Sequence, residues 1–239
     1  MSRLFDRKAM GVRKRDPEYK PILSLTPEER AALNERLDGA PYNVETLHLR
    51  LLEDPSKKEY LRAITSSILS AEFAGLDAFG RFLVEWQPLD IPWELTMSVS
   101  RQMWDETRHT ALNLQLLEHM GGELGVYPDT LASGAPPPGM EVPEPTVDEP
   151  AMQLSTINVG LEGFALSLFE RTRELAEKVG EPLMEHCHDY NMADEVLHVA
   201  HGDWWVAKLT EGDPDKERAA RKGQQQFEEI FRVFQESGL

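Results

Sequence analysis

Two short stretches of the chain carry the same side chains at the same spacing: Asp105-Glu106-Thr107-Arg108-His109 and Asp194-Glu195-Val196-Leu197-His198. In each, a carboxylate and an imidazole stand three residues apart, so on a helix both project from one face, about one turn apart. Each pair also follows, a helix-length earlier, a glutamate set in an apolar stretch. These are Glu72 in Ser70-Ala71-Glu72-Phe73-Ala74 and Glu162 in Gly160-Leu161-Glu162-Gly163-Phe164. Four glutamates and two histidines distributed in this way are the donor set of a carboxylate-bridged two-metal centre inside four packed helices.

The setting of these acids decides between that chemistry and ordinary surface charge. A single Glu-x-x-His is commonplace on an amphipathic helix, where each acid faces water or a basic partner. Here the glutamates fall on apolar faces. Leu61, Ile64, Ile68, Glu72, Phe79 and Phe82 follow one helical spacing, as do Val99, Met103, Glu106, His109 and Leu116. Met184, His188, Glu195, His198 and Trp205 make a third such face, whereas Glu162 borders the stripe of Ile157, Leu161, Phe164, Leu168 and Leu175. An ionised carboxylate in an apolar interior costs several kcal/mol unless neutralised. Two divalent cations balance four carboxylates, and neutral imidazoles supply further ligands.

The elements that must position these groups read as helices throughout, since no stretch alternates with period two. Residues 1–54 form an arm with two short helices. The first starts at Thr26, with Pro27 at its first position and Glu29 completing a capping box, and the second covers Val44 to Leu52. Residues 55–211 hold four long helices: Pro55 to Trp86, Pro92 to Met120, Ala151 to Val179, and Pro182 to about Thr210. The Gly121-Gly122 and Gly180 stops and the Pro88/Pro92 break mark their ends. A Pro- and Gly-rich crossover at about 122–150 links the second to the third. Residues 212–239 add a polar C-terminal helix from about Asp215 to Gln235.

The spacings support two matched hairpins. Glu72 and Glu106 are 34 residues apart with their midpoint at Leu89, and Glu162 and Glu195 are 33 apart with their midpoint beside Gly180. Antiparallel helices joined by a short turn bring such equidistant residues to one height. The predicted fold is therefore all-α: an antiparallel four-helix bundle with one long crossover.

Composition narrows the partners. Twenty-five basic against 42 acidic residues leave a net charge of −17, which argues against nucleic acid and anionic membrane surfaces. No apolar run approaches the roughly 20 residues of a membrane span, and the charged N-terminus lacks the apolar centre of a secretory signal. Cys187 is the single cysteine, so no intrachain disulfide can form and thiolate metal chemistry is not expected. A cytoplasmic location and a homodimer are the plain expectations.

The order Glu, Glu-x-x-His, Glu, Glu-x-x-His resembles the ferritin-like di-iron carboxylate superfamily, and Asp105-Glu106-Thr107-Arg108-His109 is similar to the Asp-Glu-x-Arg-His signature common there. The Asp194-Glu195-Val196-Leu197-His198-Val199 stretch, followed by Gly202 and Trp205, resembles a branch of that superfamily without an assigned function. The likeness runs from about Pro55 to Thr210. It implies that Glu72 and His109 ligate one metal, Glu162 and His198 the other, and that Glu106 and Glu195 bridge the pair. Asp105, Arg108 and Asp194 would then hold the imidazoles and backbone in place. Leu197 stands where the first motif has Arg108, so one supporting arginine is expected.

Mixed carboxylate and imidazole ligation suits iron or manganese. Two Fe ions, with Mn/Fe or Mn/Mn sharing the same ligands, can deliver electrons to O2 for the oxidation of a small organic substrate. The absence of Cys-x-x-Cys pairs points to an external electron donor or the substrate itself as the source of reducing equivalents. Ferroxidase and iron handling, a manganese catalase or peroxidase, and a metal-free helical module are the alternatives. Among other residues, His186, His188 and His201 are read as structural or surface histidines, Tyr190 as a core or interface tyrosine, and Trp104, Trp204 and Trp205 as packing. Gly75, Gly160, Gly163 and Gly202 either open a channel or allow close helix packing.

Overall fold

Helix α1, Pro27–Arg36, starts at a complete capping box: the Thr26 hydroxyl accepts from the Glu29 N–H while the Glu29 carboxylate accepts from the Thr26 N–H. Asn43 caps α2, Val44–Glu53, by accepting from the Thr46 N–H at 3.1 Å. The long helices are α3, Lys58–Glu85, and α4, Trp93–His119. The short α5, Pro150–Leu154, passes through a π-helical segment, Ser155–Leu161, into α6, Glu162–Val179. Gly180, at φ 73° and ψ 39°, ends α6 in the left-handed conformation that a residue without Cβ adopts at little cost. Helix α7, Pro182–Leu209, then opens with proline in its first turn, where no N–H is needed, and α8, Pro214–Glu236, follows.

This computed structural model describes residues 22, 25–130, 150–211 and 213–236; among them the chain is all-helical, with no β-strand. No helix among the described residues is long and apolar enough to cross a membrane. Most of the Pro-rich crossover expected at about 122–150 lies outside the described residues.

The described residues form two compact units, the first built from residues up to Ala74 with those from Thr107 to 130, the second from Gly75–Glu106 with those from 150 onward. In the first unit, Leu61, Ile64, Ile68 and Leu69 of α3 are buried together with Leu47 and Leu51 of α2 and Leu116 and Leu117 of α4. A polar knot holds its rim. Glu59 accepts from Arg36 at 2.8 Å, from Arg62 at 3.1 Å and from the Tyr127 hydroxyl at 2.8 Å, and Tyr127 stacks on Tyr42. Burial alone would raise the Glu59 carboxyl, but the donated hydrogen bonds of Arg36 and Tyr127 outweigh it and hold Glu59 below its usual range. Burial, then the Glu59 carboxylate, push the Tyr127 hydroxyl far above its ordinary value.

The core of the second unit gathers Phe79, Phe82 and Trp86 of α3 and its following turn, Leu95 and Val99 of α4, Leu154 and Trp205. Phe82 and Trp86 stack with centroids 5.0 Å apart. The Trp86 indole donates to Gln153, whose amide donates to Glu85 at 2.9 Å, so the tryptophan's one polar atom is satisfied inside the core.

The sequence predicts one regular third helix from Ala151 to Val179; the structure instead inserts the π-helical segment before Glu162. A π turn accommodates one extra residue, which rotates everything beyond it by about 100° relative to a straight α-helix. Leu161, Leu168 and Leu175 of the expected stripe are buried, and Glu162, Phe169, Thr172 and Ala176 share that buried face with them. Phe164 is left half-buried. The segment also carries Asn158, which is fully buried and donates to Gln102 and to the His198 carbonyl, the latter at 3.1 Å. Gly202 makes this approach possible: a Cβ there would lie 2.3 Å from the Asn158 Cβ. Close packing is thus the role of Gly202. Gly163, by contrast, faces open space, with no atom within 4 Å of an added Cβ.

Two outcomes test these readings. Gly202→Ala is expected to destabilise the protein by about 1–3 kcal/mol through overpacking against Asn158, read as a lower urea midpoint at unchanged m-value. Because the folded Glu59 titrates below its unfolded value, it contributes stability above the unfolded pKa that is lost as pH falls through the folded one. Glu59→Gln should therefore cost about 1–3 kcal/mol near neutral pH, and the gap to the wild-type protein should narrow in urea titrations carried into acid.

Candidate metal centre

In the second unit, Glu106 of α4, Glu162 of α6, and Glu195 and His198 of α7 converge. One ligand atom from each lies within 4.8 Å of every other, and all four residues are buried. Donors bound to one cation at about 2.0–2.2 Å stand at most about 4.4 Å apart, so the quartet is already near the size that one ion requires. In the first unit, Glu72 of α3 and His109 of α4 are buried side by side, with Glu72 Oε2 3.4 Å from His109 Nδ1. Glu72 Oε1 is buried with no hydrogen-bond partner among the described residues. All six ligand candidates are at most 4% exposed.

The His198 ring is held by acids on both edges. Nδ1 lies 3.2 Å from Glu195 and 3.3 Å from Glu106, while Nε2 lies 3.5 Å from Asp105. Burial alone would lower its pKa. Hydrogen bonds to Asp105 and Glu195 and the charges of Glu195 and Glu106 overcome that and raise it to about 10. A proton on His198 thus partly balances the carboxylates, a position a cation fills more fully. Phe79 packs edge-on against the ring at 6.1 Å and covers it from one side.

Asp105 is anchored in turn. Arg101, one turn earlier on α4, donates to both Asp105 oxygens at 2.9 Å and reaches to 3.9 Å from Asp194. Arg101, which lies outside the recurring motif, is thus part of this network, and Arg108 is half-buried. An i,i+4 Arg-Asp pair on a helix is too common to single out in sequence, and only the meeting of α4 and α7 gives this one a role.

The remaining candidates divide. His201 pairs with Ser98 at 3.3 Å, and burial together with the nearby positive His198 and Arg101 lowers its pKa. His188 is buried and stacks on Phe169 at 5.4 Å, a packing role. His186 is exposed. Trp205 is buried, but Trp104 and Trp204 are more than half exposed, contrary to a packing role for all three. Sequence reasoning also passed over Asn191, one turn before Glu195 on α7. It is fully buried, and neither its amide nitrogen nor its oxygen has a hydrogen-bond partner among the described residues. Such a group costs about 1–3 kcal/mol unless water or a ligand satisfies it, which gives the interior beside Glu195 a polar anchor.

This donor set fits a metal: three carboxylates and one imidazole, buried, converging on one point, with the outer imidazole nitrogen oriented by a carboxylate. Hard oxygen donors with a single nitrogen suit iron or manganese better than a thiolate-preferring ion. No family model, curated protein or solved structure matches the chain.

Removing the acid behind the ring probes the arrangement. Asp105→Asn should weaken metal binding about 10–100-fold while preserving helicity, as measured by titration of the metal-free protein with Mn2+ or Fe2+ under anaerobic conditions.

Proposed function

We propose that the protein is an O2-dependent oxidase or oxygenase that acts on a small organic substrate at a dinuclear, carboxylate-bridged metal centre. In this reading α3, α4, α6 and α7 are the four helices of a ferritin-like bundle. The observation that carries it is the buried convergence of Glu106, Glu162, Glu195 and His198. By the resemblance of the repeated motifs to di-iron carboxylate proteins, Glu72 and His109 would complete the ligand set, and Glu106 and Glu195 would be shared between the two ions. Two Fe ions are the favoured occupants, with manganese able to use the same donors.

When bound, a redox-active metal pair supplies electrons to O2 and the oxidising power that the chain's own side chains lack. The protein's contributions are electrostatic and positional. The glutamates hold the charge of the ions. Asp105, braced by Arg101, keeps Nδ1 of His198 turned toward Glu106 and Glu195. Phe79 and the surrounding apolar side chains keep water from the ring, and the Asn191 amide offers a buried donor and acceptor to a polar group of a substrate or to water.

Elemental analysis after expression with added iron should find two ions per chain in the wild-type protein. Glu106→Ala and His198→Ala should each lose that stoichiometric loading while circular dichroism stays helical; wild-type metal content in both variants would sink the assignment. The loaded protein should also consume O2 when supplied with a chemical reductant. Rapid peroxide disproportionation without substrate would move the reading to a manganese catalase, and accumulation of oxidised iron inside a large cage would move it to ferritin-type storage.

A further inference from the structure

The two helices that bring Glu106, Glu195 and His198 together also carry an apolar outer surface that nothing in the chain's chemistry requires. On α4, Trp93, Met97 and Trp104 are 70%, 52% and 58% exposed; on α7, Tyr190, Leu197 and Trp204 are 43%, 51% and 55% exposed. All six belong to the second unit. Three contacts fix how these helices face each other: Ser98 with His201, Arg101 with Asp194, and Asp105 with His198. The first and last of them pair a rise from 98 to 105 on α4 with a fall from 201 to 198 on α7, so the helices run antiparallel.

Helical spacing then locates both stripes. Positions 93, 97 and 104 recur at four and seven residues, so they share one face of α4. That face is rotated away from Val99 and Glu106, which point inward, and lies on the outer flank of the seam with α7. Positions 190, 197 and 204 recur every seven residues and occupy the outer flank of the same seam on α7, opposite the buried Asn191, Glu195 and Gly202. The result is one outward patch of two parallel stripes, with Arg101 and His201 in the groove between them.

We infer that this patch is the interface through which two copies of the chain associate. At about 150–250 Å2 per large side chain, the exposed parts of the six residues amount to roughly 500–800 Å2. That reaches or passes the upper end of what most monomers leave open, about 300–600 Å2 for the largest patch. It approaches the roughly 800 Å2 that each partner contributes to a standard interface. Three tryptophans give it the composition of an interface centre rather than of a free surface.

A second copy is the occupant that this surface fits. Each chain carries a net charge of −17, so two copies repel except where charge is absent or balanced. Along the seam, Arg101 is already paired with Asp105 and lies beside Asp194, and Lys208 lies 4.6 Å above the Trp204 ring, so the charges beside the apolar centre are balanced or face an aromatic ring. A two-fold axis through such a seam would place stripe on stripe, the self-complementarity that an isologous interface needs. The interface would lie over the outer side of the Arg101–Asp105–His198 chain and would cover it from water.

Sedimentation velocity on the full-length protein tests this. The wild-type chain should sediment as a species of twice 27.1 kDa at about 10 μM. Met97→Glu/Trp204→Glu should shift it to the single-chain mass at the same concentration, with unchanged helicity and greater quenching of tryptophan fluorescence by acrylamide. Should that double variant lose helicity, Trp204→Ser, which removes a half-exposed ring packed on Trp205 and adds no charge, carries the test through an at least tenfold weaker self-association. A wild-type chain that stays monomeric at about 100 μM, or helical variants that dimerise as tightly as the wild-type, would overturn the inference.

Discussion

Carboxylates removed from water and pressed together are the constraint around which the second unit is organised. Each loses hydration worth several kcal/mol, and at separations below 5 Å each also repels its neighbours. Positive charge at their centre is what allows an interior to hold Glu106, Glu162 and Glu195 in the ionised form. A proton on His198 is the part of that charge that the polypeptide itself can provide: against burial, which lowers its pKa, the bonds to Asp105 and Glu195 and the charges of Glu195 and Glu106 raise it to about 10. A divalent cation answers the same demand with twice the charge and with bonds to every donor. This is why a metal is the natural occupant of such a cluster, whatever its identity.

Holding those donors in register takes departures from regular structure. The π-helical turn leads directly into Glu162, which lies on the buried face of the following helix while Phe164 is half-buried. Asn158, set within that turn, ties it to Gln102 of α4 and to the His198 carbonyl of α7. Gly202 removes the one Cβ that would keep the turn from α7. The same backbone irregularity thus aims a carboxylate and anchors the histidine helix. Regular heptad-like packing would satisfy the apolar side chains and leave Glu162 at the edge of its face.

Helices α4 and α7 serve two surfaces at once. Their inward faces present Glu106, Glu195 and His198, and their outward faces present tryptophan, methionine and leucine. Arg101 and Asp105 lie between these roles. One end of the arginine is in water and the other grips a buried carboxylate, so an interface on the outer face would act directly on the support of His198. Ligand geometry and association then share the same pair of helices.

The helices themselves were legible in the sequence because their punctuation is local. Thr26 and Glu29, Pro182, Gly121 and Gly180 act through hydrogen bonds and torsion angles within a few residues, and each predicted end lies within about three residues of the observed one. Six buried acid and imidazole positions could be named because three-residue spacing and apolar flanks are also local signals. The π turn, Asn158, Asn191 and Arg101 could not be named in this way. An asparagine on an apolar face or an arginine four residues from an aspartate has many ordinary uses, and its use here depends on which helix arrives opposite it. The exposure of Trp104 and Trp204 was hidden for the same reason, since a heptad-spaced aromatic stripe reads alike whether it faces inward or outward. Sequence alone thus determined where helices begin and which side chains can bind a cation. Tertiary structure decided which carbonyl, carboxylate or open surface each of them meets, because those pairings arise only between segments far apart in the chain.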